Sequence, residues 1–244
     1  MIETSTHGDV AVLSLNHGPV NALDLELLTA LPEALRATND APVVLTGVGR
    51  CFSAGVDLKR IVDGGLPYVE RFLPALSTAA LAVFDHPRPV VAAVNGHALA
   101  GGCVLAAACD VRLMSGGTIG LTELAAGVPF PTVPLEVMRY AAGPAVNRLV
   151  LTADRLDPAE AHRLGLIDEV VVPDDLLAAA VRRAERLAGT PAAVYARAKR
   201  QLHAPAHERI AARRDVDDPE AEAFWGDAGT QAHLRDFLAS LAAR

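Results

Sequence analysis

The stretch from Val90 to Asp110, VVAAVNGHALAGGCVLAAACD, constrains the fold of this chain of 244 residues more than any other segment. It opens with five small or β-branched apolar residues and breaks at Asn95-Gly96. It then runs through the pair Gly101-Gly102 into an alanine-rich apolar segment. This order is typical of a buried strand, a tight turn and a helix that begins on glycine. Because helix starts carry unpaired N–H groups that glycine leaves accessible, the turn predicts a site for a negatively charged oxygen.

Two other interpretations of this stretch remain open. A glycine pair before an apolar helix also allows a helix to pack closely on a strand, with no ligand at that point. The segment is also long enough to cross a bilayer. Asn95, His97 and three glycines within it argue against a membrane span.

Composition narrows the class of protein. Hydrophobic residues make up 51% of the chain and aromatic residues only 4%, so alanine, valine and leucine must fill the core. The net charge of −7 disfavours nucleic-acid binding, and the opening MIETSTHGDV lacks a signal-peptide pattern. Three cysteines without a CxxC pair indicate a reducing compartment without structural disulfides, and no zinc site. We therefore expect a soluble cytoplasmic protein that needs no metal.

Predicted strands and helices alternate over most of the chain, which indicates the α/β class. Apolar runs predict strands at 10–15, 42–46, 90–94, 111–114, 118–121 and 169–172. Helical periodicity predicts helices at 25–38, 66–84, 135–142, 144–152 and 158–164. Asn21 or Asp24 is the candidate cap of the first helix, and Pro32 is a candidate kink within it. Residues 122–127 are expected to form a short helix or turn.

The composition changes near residue 175, where predicted strands stop. Helices are predicted beyond it at 176–188, 191–203 and 232–243. We therefore divide the chain into a core of residues 1–188 and a helical C-terminal region of residues 189–244.

Three common motifs are missing from the sequence: GxGxxG after a strand, GxxxxGK[ST] and GxSxG. Their absence removes the usual dinucleotide, nucleotide-phosphate and serine-hydrolase interpretations.

Two glycine-containing motifs, FSAGVDL from Phe52 and NGHALAGGC from Asn95, together resemble the crotonase superfamily of enoyl-CoA hydratases and isomerases. PVNALDLELL, CDVRL, IGLTELAAGVPF and LTADRLDPAEAHRLGLIDEVV extend the resemblance over roughly residues 8–200. It implies a spiral of strand-strand-helix units with a helical C-terminal trimerisation region. It further implies a homotrimer or a dimer of trimers. The implied substrate is an acyl-CoA thioester, with no separate cofactor.

The resemblance also implies a site. The N–H groups of Val56 and Gly101 would hold the thioester oxygen. The adenine of CoA would lie against the backbone of Ala54, beside Asp57. Lys59 would approach the CoA phosphates, although an exposed helix lysine is an equal alternative.

Four further residues are candidates for contact with the substrate: His97, Gly102, Val104 and Phe130. Two of the candidate contacts also suit a structural role, because His97 lies in a turn and Asp57 can form a helix end. The lysine that the family carries near the end of its last helix has no match after Phe237, which leaves the phosphate contacts undecided.

The acidic residues distinguish the reactions within the resemblance. Hydratases of this family use two glutamates, and the first would fall at position 104, where this chain has Val104. The second falls on Glu123. A single carboxylate suits a Δ3,Δ2-enoyl-CoA isomerase, in which one base carries a proton from C2 to C4. Apolar neighbours of Glu123 would raise its pKa, as a base that also acts as an acid requires. Without the resemblance, Glu123 would be an ordinary carboxylate at a helix start.

Two other functions stay open at this point. One is a weak hydratase in which another group replaces the missing glutamate, and the other is a catalytically silent protein that binds CoA esters or acts as a scaffold. Glu136 is the nearest spare carboxylate, and we expect it on a solvated helix face. Cys103 and Cys109 lie in an apolar segment and are expected to be small core residues rather than nucleophiles.

Overall fold

The computed structural model describes residues 1–242 and shows an α/β fold with nine strands and nine α-helices. The strands are β1 (Ile2–His7), β2 (Val10–Leu15), β3 (Val43–Gly47), β4 (Cys51–Ser53), β5 (Val90–Val94), β6 (His97–Leu99), β7 (Val111–Met114), β8 (Ile119–Gly120) and β9 (Glu169–Val170). The helices are α1 (Leu25–Ala37), α2 (Leu58–Phe84), α3 (Gly101–Ala107), α4 (Thr132–Ala142), α5 (Val146–Thr152), α6 (Pro158–Arg163), α7 (Leu176–Ala188), α8 (Ala192–Gly226) and α9 (Ala228–Ala242).

Three consecutive strand-strand-helix units build the centre of the molecule: β3-β4-α2, β5-β6-α3 and β7-β8-α4. The first strand of each unit joins a six-stranded sheet in the order β1-β2-β3-β5-β7-β9, and the second joins a three-stranded sheet in the order β4-β6-β8. All pairings are parallel except β1 with β2. The chain therefore advances by one strand in both sheets per unit, which is the predicted spiral.

The six-stranded sheet is covered on both faces. Val12, Val44 and Val91 pack under α7 through Ala180 and Ala184. The opposite face joins the main core, which also contains α1, α2, α3 and the three-stranded sheet. Strands buried on both sides read as continuous apolar runs, which explains why the sequence predicts the central strands.

Local signals set several element ends. Asp24 caps α1 by accepting a hydrogen bond from the Leu27 N–H at 2.9 Å, as one of the two predicted alternatives. The helix continues through Pro32. Asp57 caps α2 by accepting from the Arg60 N–H at 3.1 Å. Residues 122–127, predicted as a short helix or turn, form a turn.

The structure differs from the predicted elements in several places, and the short strands β4 and β6 are among the elements that were not predicted. Helix α2 consists of two helical segments that meet at a kink at Gly65, where φ is 57° and ψ is −156°. The predicted helix 66–84 matches the second segment, whereas the first segment, from Leu58, was not predicted. Strand β1 was not predicted, since its residues after Ile2 are polar and exposed on both faces of an edge strand. Helix α8 runs on from the predicted end at 203 to Gly226, with Pro205 and Pro219 inside it.

The C-terminal part is helical from residue 173 to 242. The expected division between residues 188 and 189 falls in the link between α7 and α8. The last predicted helix, 232–243, overlaps α9, which begins four residues earlier at Ala228, while residue 243 lies outside the described residues. Within residues 1–242, no helix is both long and apolar enough to span a bilayer. The stretch considered as a membrane span is divided among β5, β6 and α3.

Candidate active site

A cavity of about 400 Å³ lies where the turn after β4 meets the turn before α3. Its walls include Ala54, Val56, Asp57 and Lys59 from the first turn, and Leu99 and Ala100 from the second. Glu123 lies on a third side, with Thr122, Ala126 and Val128. The two glycine motifs and the glutamate turn therefore surround one space.

The first turn is held by its pairing with the segment before α1. The Leu23 N–H donates to Gly55 O at 2.8 Å, and the Asp57 N–H donates to Leu23 O at 2.9 Å. Because successive residues of an extended segment point their N–H groups in opposite directions, the Val56 N–H points away from Leu23. Among residues 1–242, this N–H has no backbone acceptor. Val56 thus offers a free donor beside the cavity.

The second turn presents the start of α3. The Ala100 N–H donates a hydrogen bond to the Gly120 carbonyl oxygen at 2.9 Å, and the Ala100 carbonyl oxygen accepts one from the Val104 N–H. Gly101 is the first helical residue, so its N–H lacks an intrahelical acceptor. Ala100 has a φ of 49° and a ψ of −124°, a strained conformation for a residue other than glycine. Such backbone strain persists only where the surrounding packing enforces it. Here the strained residue is the one directly before α3, so its conformation sets the direction in which the helix begins.

Close backbone contacts bring the two free donors together. A Cβ on Gly55 would lie 2.5 Å from Leu99 O, so the first turn needs glycine to approach the second. A Cβ on Gly101 would lie 3.8 Å from Val56 Cγ2. A Cβ on Gly102 would lie 2.4 Å from Ser53 O, which shows how tightly α3 packs on β4. The two free N–H groups therefore lie on adjoining turns, and N–H groups that share one oxygen stabilise it as it becomes negative.

Glu123 is buried, with 7% of its surface exposed. Among the described residues, its Oε2 has no hydrogen-bond partner. Loss of solvation raises the pKa of the Glu123 carboxyl from an ordinary value of 4.5 to about 8, and hydrogen bonds from the backbone oppose part of that shift. A carboxyl with a pKa near neutrality can both accept and return a proton at physiological pH.

The other lining carboxylate has a structural role. Asp57 caps α2 through its Oδ1, so that oxygen is already engaged. Lys59 lies at the rim of the cavity on the first turn of α2, and its Nζ is 2.7 Å from Asp63 Oδ2 in an exposed pair. Among residues 1–242, no cluster of three or more His, Cys, Asp or Glu side chains could hold a metal ion.

Five of the predicted site residues do not line this cavity: Gly101, which follows the lining residue Ala100, and four of the predicted substrate contacts. His97 is exposed on β6, where its Nδ1 lies 3.0 Å from Thr118 Oγ1. Val104 is fully buried in α3, and half-buried Phe130 packs against the same core. Gly102 lies behind the turn, against Ser53. Through this packing, Gly102 holds the start of α3 against β4.

Glu136 corrects an expectation. It is buried rather than solvated, with 5% of its surface exposed, and it accepts a hydrogen bond from Arg209 Nε. Its second oxygen lies 3.4 Å from Arg139 Nε. The contact between Glu136 and Arg209 joins α4 to α8, which a prediction from local helix periodicity could not reveal.

Burial raises the pKa of the Cys103 and Cys109 thiols well above the ordinary value, which suits the predicted core role.

The C-terminal helices close the cavity with residues that sequence reasoning missed. Trp225 at the end of α8 is 1% exposed, and its Nε1 donates to Pro129 O at 2.9 Å. Phe237, Leu238 and Leu241 of α9 supply an apolar wall. Their spacing of one and four residues is typical of a helix face, but no local pattern indicates which surface that face covers. Arg155 was also missed.

A second cavity of similar volume lies on another part of the molecule, between α3, α4 and α8. Its buried Lys199 lies 2.8 Å from Asp110 Oδ1, so the two charges offset each other. The turns that carry the free N–H groups of Val56 and Gly101 do not line it. The cavity around Glu123 is therefore the better candidate for chemistry.

Known proteins resemble this chain over nearly its whole length. The family model described as enoyl-CoA hydratase/isomerase matches residues 5–238. A probable enoyl-CoA hydratase from Mycobacterium avium is 36% identical over 94% of this chain and 93% of its own length. The crystal structure of human mitochondrial delta3-delta2-enoyl-CoA isomerase superposes with a TM-score of 0.93 at 26% identity, covering 99% of this chain and 98% of that one.

Proposed function

The chain belongs to the enoyl-CoA hydratase/isomerase family of enzymes, and from that premise we propose that it converts 3-enoyl-CoA to 2-enoyl-CoA with Glu123 as the only proton carrier. The observation that carries this proposal is the single buried carboxyl with a pKa of about 8 in the cavity wall. Moving a double bond by one position needs one proton removed and one returned, with no water added.

In the proposed reaction, the thioester oxygen accepts hydrogen bonds from the N–H groups of Val56 and Gly101. Ionised Glu123 removes a proton from C2, and the electron pair moves onto the thioester oxygen as an enolate conjugated with the C3–C4 double bond. Protonated Glu123 then returns the proton at C4, and the double bond comes to lie between C2 and C3. Each such donor contributes roughly 3 to 4 kcal/mol to stabilisation of the transition state.

The placement of the rest of the substrate follows from the cavity wall. We assign the CoA end to the side of Ala54, Asp57 and Lys59, next to the first turn. The acyl end lies towards Glu123 and the apolar residues of α9. The apolar wall supports the reaction, because exclusion of water prevents hydration of the product and keeps Glu123 desolvated.

Hydration is the second candidate, and it is favoured by the description of the Mycobacterium avium relative as a probable enoyl-CoA hydratase. Adding water calls for a base to activate it and an acid to protonate C2. Val104 occupies the position of the first hydratase glutamate and is fully buried among apolar residues. Loss of one acid-base group typically costs about 100- to 10,000-fold in rate. The arrangement therefore supports isomerisation over hydration.

The test is an ultraviolet assay at the absorbance of the conjugated enoyl thioester, run with two substrates. A 3-enoyl-CoA should gain absorbance as the double bond becomes conjugated. A 2-enoyl-CoA should lose little, since hydration is slow. Glu123→Gln should abolish the gain by removing the base while keeping the side-chain size. Glu33→Gln on the exposed side of α1 is the matched control and should leave the rate unchanged.

Each result has one meaning. Rapid loss of absorbance from the 2-enoyl ester, with none gained from the 3-enoyl ester, would establish the hydratase instead. Binding of both esters without turnover would indicate the silent binder. A full rate in Glu123→Gln would remove Glu123 from the mechanism.

A further inference from the structure

Only two cations, Lys59 and Arg155, line the candidate active site within the described part of the chain. They differ in their partners. Lys59 Nζ is already 2.7 Å from Asp63 Oδ2. Arg155 is exposed at the cavity wall and, within residues 1–242, its side chain makes no ion pair and no hydrogen bond.

The backbone of Arg155 is fixed, although its side chain is free. Leu156 and Ile119 form an antiparallel bridge with two hydrogen bonds of 2.9 Å. A Cβ on Gly120 would lie 2.1 Å from the Asp154 carbonyl oxygen, next to Arg155, so only glycine lets the two segments approach this closely. Gly120 is three residues before Glu123. The bridge therefore holds Arg155 beside the strand that leads to the proposed base.

The neighbouring carboxylates are occupied by other cations. Arg148 lies 3.6 Å from Asp154 and 2.9 Å from Glu160, and Glu160 is also 3.2 Å from Arg163. The charge of Arg155 is therefore not neutralised within this cluster. Arg155 is also not among the groups that shift the pKa of Glu123, which burial raises and backbone hydrogen bonds partly lower. An arginine held in a cavity wall without an acidic partner presents a fork of donors suited to a phosphate or carboxylate.

We propose that Arg155 binds an anionic group of the substrate at the edge of this cavity. This inference rests on the proposed function, since it requires an acyl-CoA in the cavity. Two parts of such a substrate supply the chemistry: a phosphate of CoA, or a carboxylate at the far end of the acyl group. Cavity-lining residues Phe237, Leu238 and Leu241 of α9 are all apolar, so that helix provides no competing cation in this wall.

The experiment measures binding by calorimetry with thioesters that the isomerase reaction cannot consume. The probes are butanoyl-CoA, butanoyl-pantetheine, which lacks phosphates, and glutaryl-CoA, which carries a terminal carboxylate. Arg155→Gln is compared with Arg182→Gln, which removes another exposed arginine from α7 on the other side of the large sheet. Loss of one charge-assisted hydrogen bond should weaken binding about 10-fold.

A phosphate contact predicts that Arg155→Gln weakens both CoA esters about 10-fold and leaves butanoyl-pantetheine unchanged. A carboxylate contact predicts that it weakens only glutaryl-CoA. Equal affinities of Arg155→Gln and Arg182→Gln for all three probes would overturn the inference while leaving the proposed function intact. Binding that depends on Arg155 in a protein that does not turn over 3-enoyl-CoA would support the inference and overturn the isomerase. Failure of the wild type to bind any CoA ester would overturn both.

Discussion

Replacing Glu123 by glutamine should stabilise the protein, and increasingly so as the pH rises. The folded state binds a proton on Glu123 with a pKa of about 8, against an ordinary value of 4.5 for an exposed carboxyl. Stability is therefore lost as the pH rises from the lower value to the higher one, because the unfolded chain ionises first. Glutamine does not ionise, so Glu123→Gln avoids this loss.

The magnitude follows from the gap of about 3.5 pKa units. At ~1.36 kcal/mol per unit, the wild type loses up to about 5 kcal/mol between pH 4 and pH 9 that the variant keeps. Between pH 5 and pH 9 the difference in unfolding free energy between variant and wild type should grow by about 4 kcal/mol. An effect of this size is a large part of the stability of an ordinary domain.

The assay is urea unfolding at a fixed protein concentration. Unfolding is followed by the fluorescence of Trp225, which is buried and is the chain's one tryptophan. Glu33→Gln, on the exposed side of α1, is the control, and its unfolding free energy should follow that of the wild type at every pH. Parallel stability curves for Glu123→Gln and the wild type from pH 5 to pH 9 would refute the reasoning. They would mean that the Glu123 carboxyl is solvated when the protein is folded.

Three further predictions follow from other contacts. Gly102→Ala should lower kcat by roughly 100-fold or more, because its Cβ would lie 2.4 Å from Ser53 O and displace the α3 donor, whereas Gly116→Ala has open space and should behave as the wild type. The rate of isomerisation in buffers from pH 6 to pH 10 should rise to a plateau above about 8, as Glu123 ionises, and a flat profile would exclude it as the base. Trp225→Phe should cost about 1 kcal/mol in thermal or urea unfolding followed by circular dichroism, through loss of the hydrogen bond to Pro129 O, while Phe224→Ala on the exposed side should cost less.

Local sequence signals predict the parts of the fold that depend on local chemistry. The run from Val90 to Val94 is apolar because β5 is buried on both faces, and the glycines mark the places where backbones approach closely. Asp24 is placed where a helix cap is needed. The spiral arrangement came from the resemblance, since no single segment specifies which sheet each strand joins.

Contacts between distant segments could not be predicted in this way. Glu136 looks like a surface residue in its own helix, but it is buried where α4 packs against α8, and Arg209 of α8 donates a hydrogen bond to it. Arg155 is held at the cavity by the bridge that its neighbour Leu156 forms with Ile119, and such a bridge has no periodic signal in the sequence. The wall formed by α9 depends on how far α8 extends, and the two prolines within α8 concealed its length.

The most direct test of the one-base mechanism follows a labelled proton through a single turnover. A 3-enoyl-CoA deuterated at C2 is mixed with excess enzyme in ordinary water, and the 2-enoyl-CoA product is analysed by mass spectrometry and NMR. Because Glu123 is 7% exposed and lies in an apolar wall, it should exchange its captured deuteron with water slowly. The account predicts that much of the deuterium removed from C2 reappears at C4. Complete loss of that deuterium to solvent, with a solvent proton at C4, would contradict it and indicate a second acid or an open path to water.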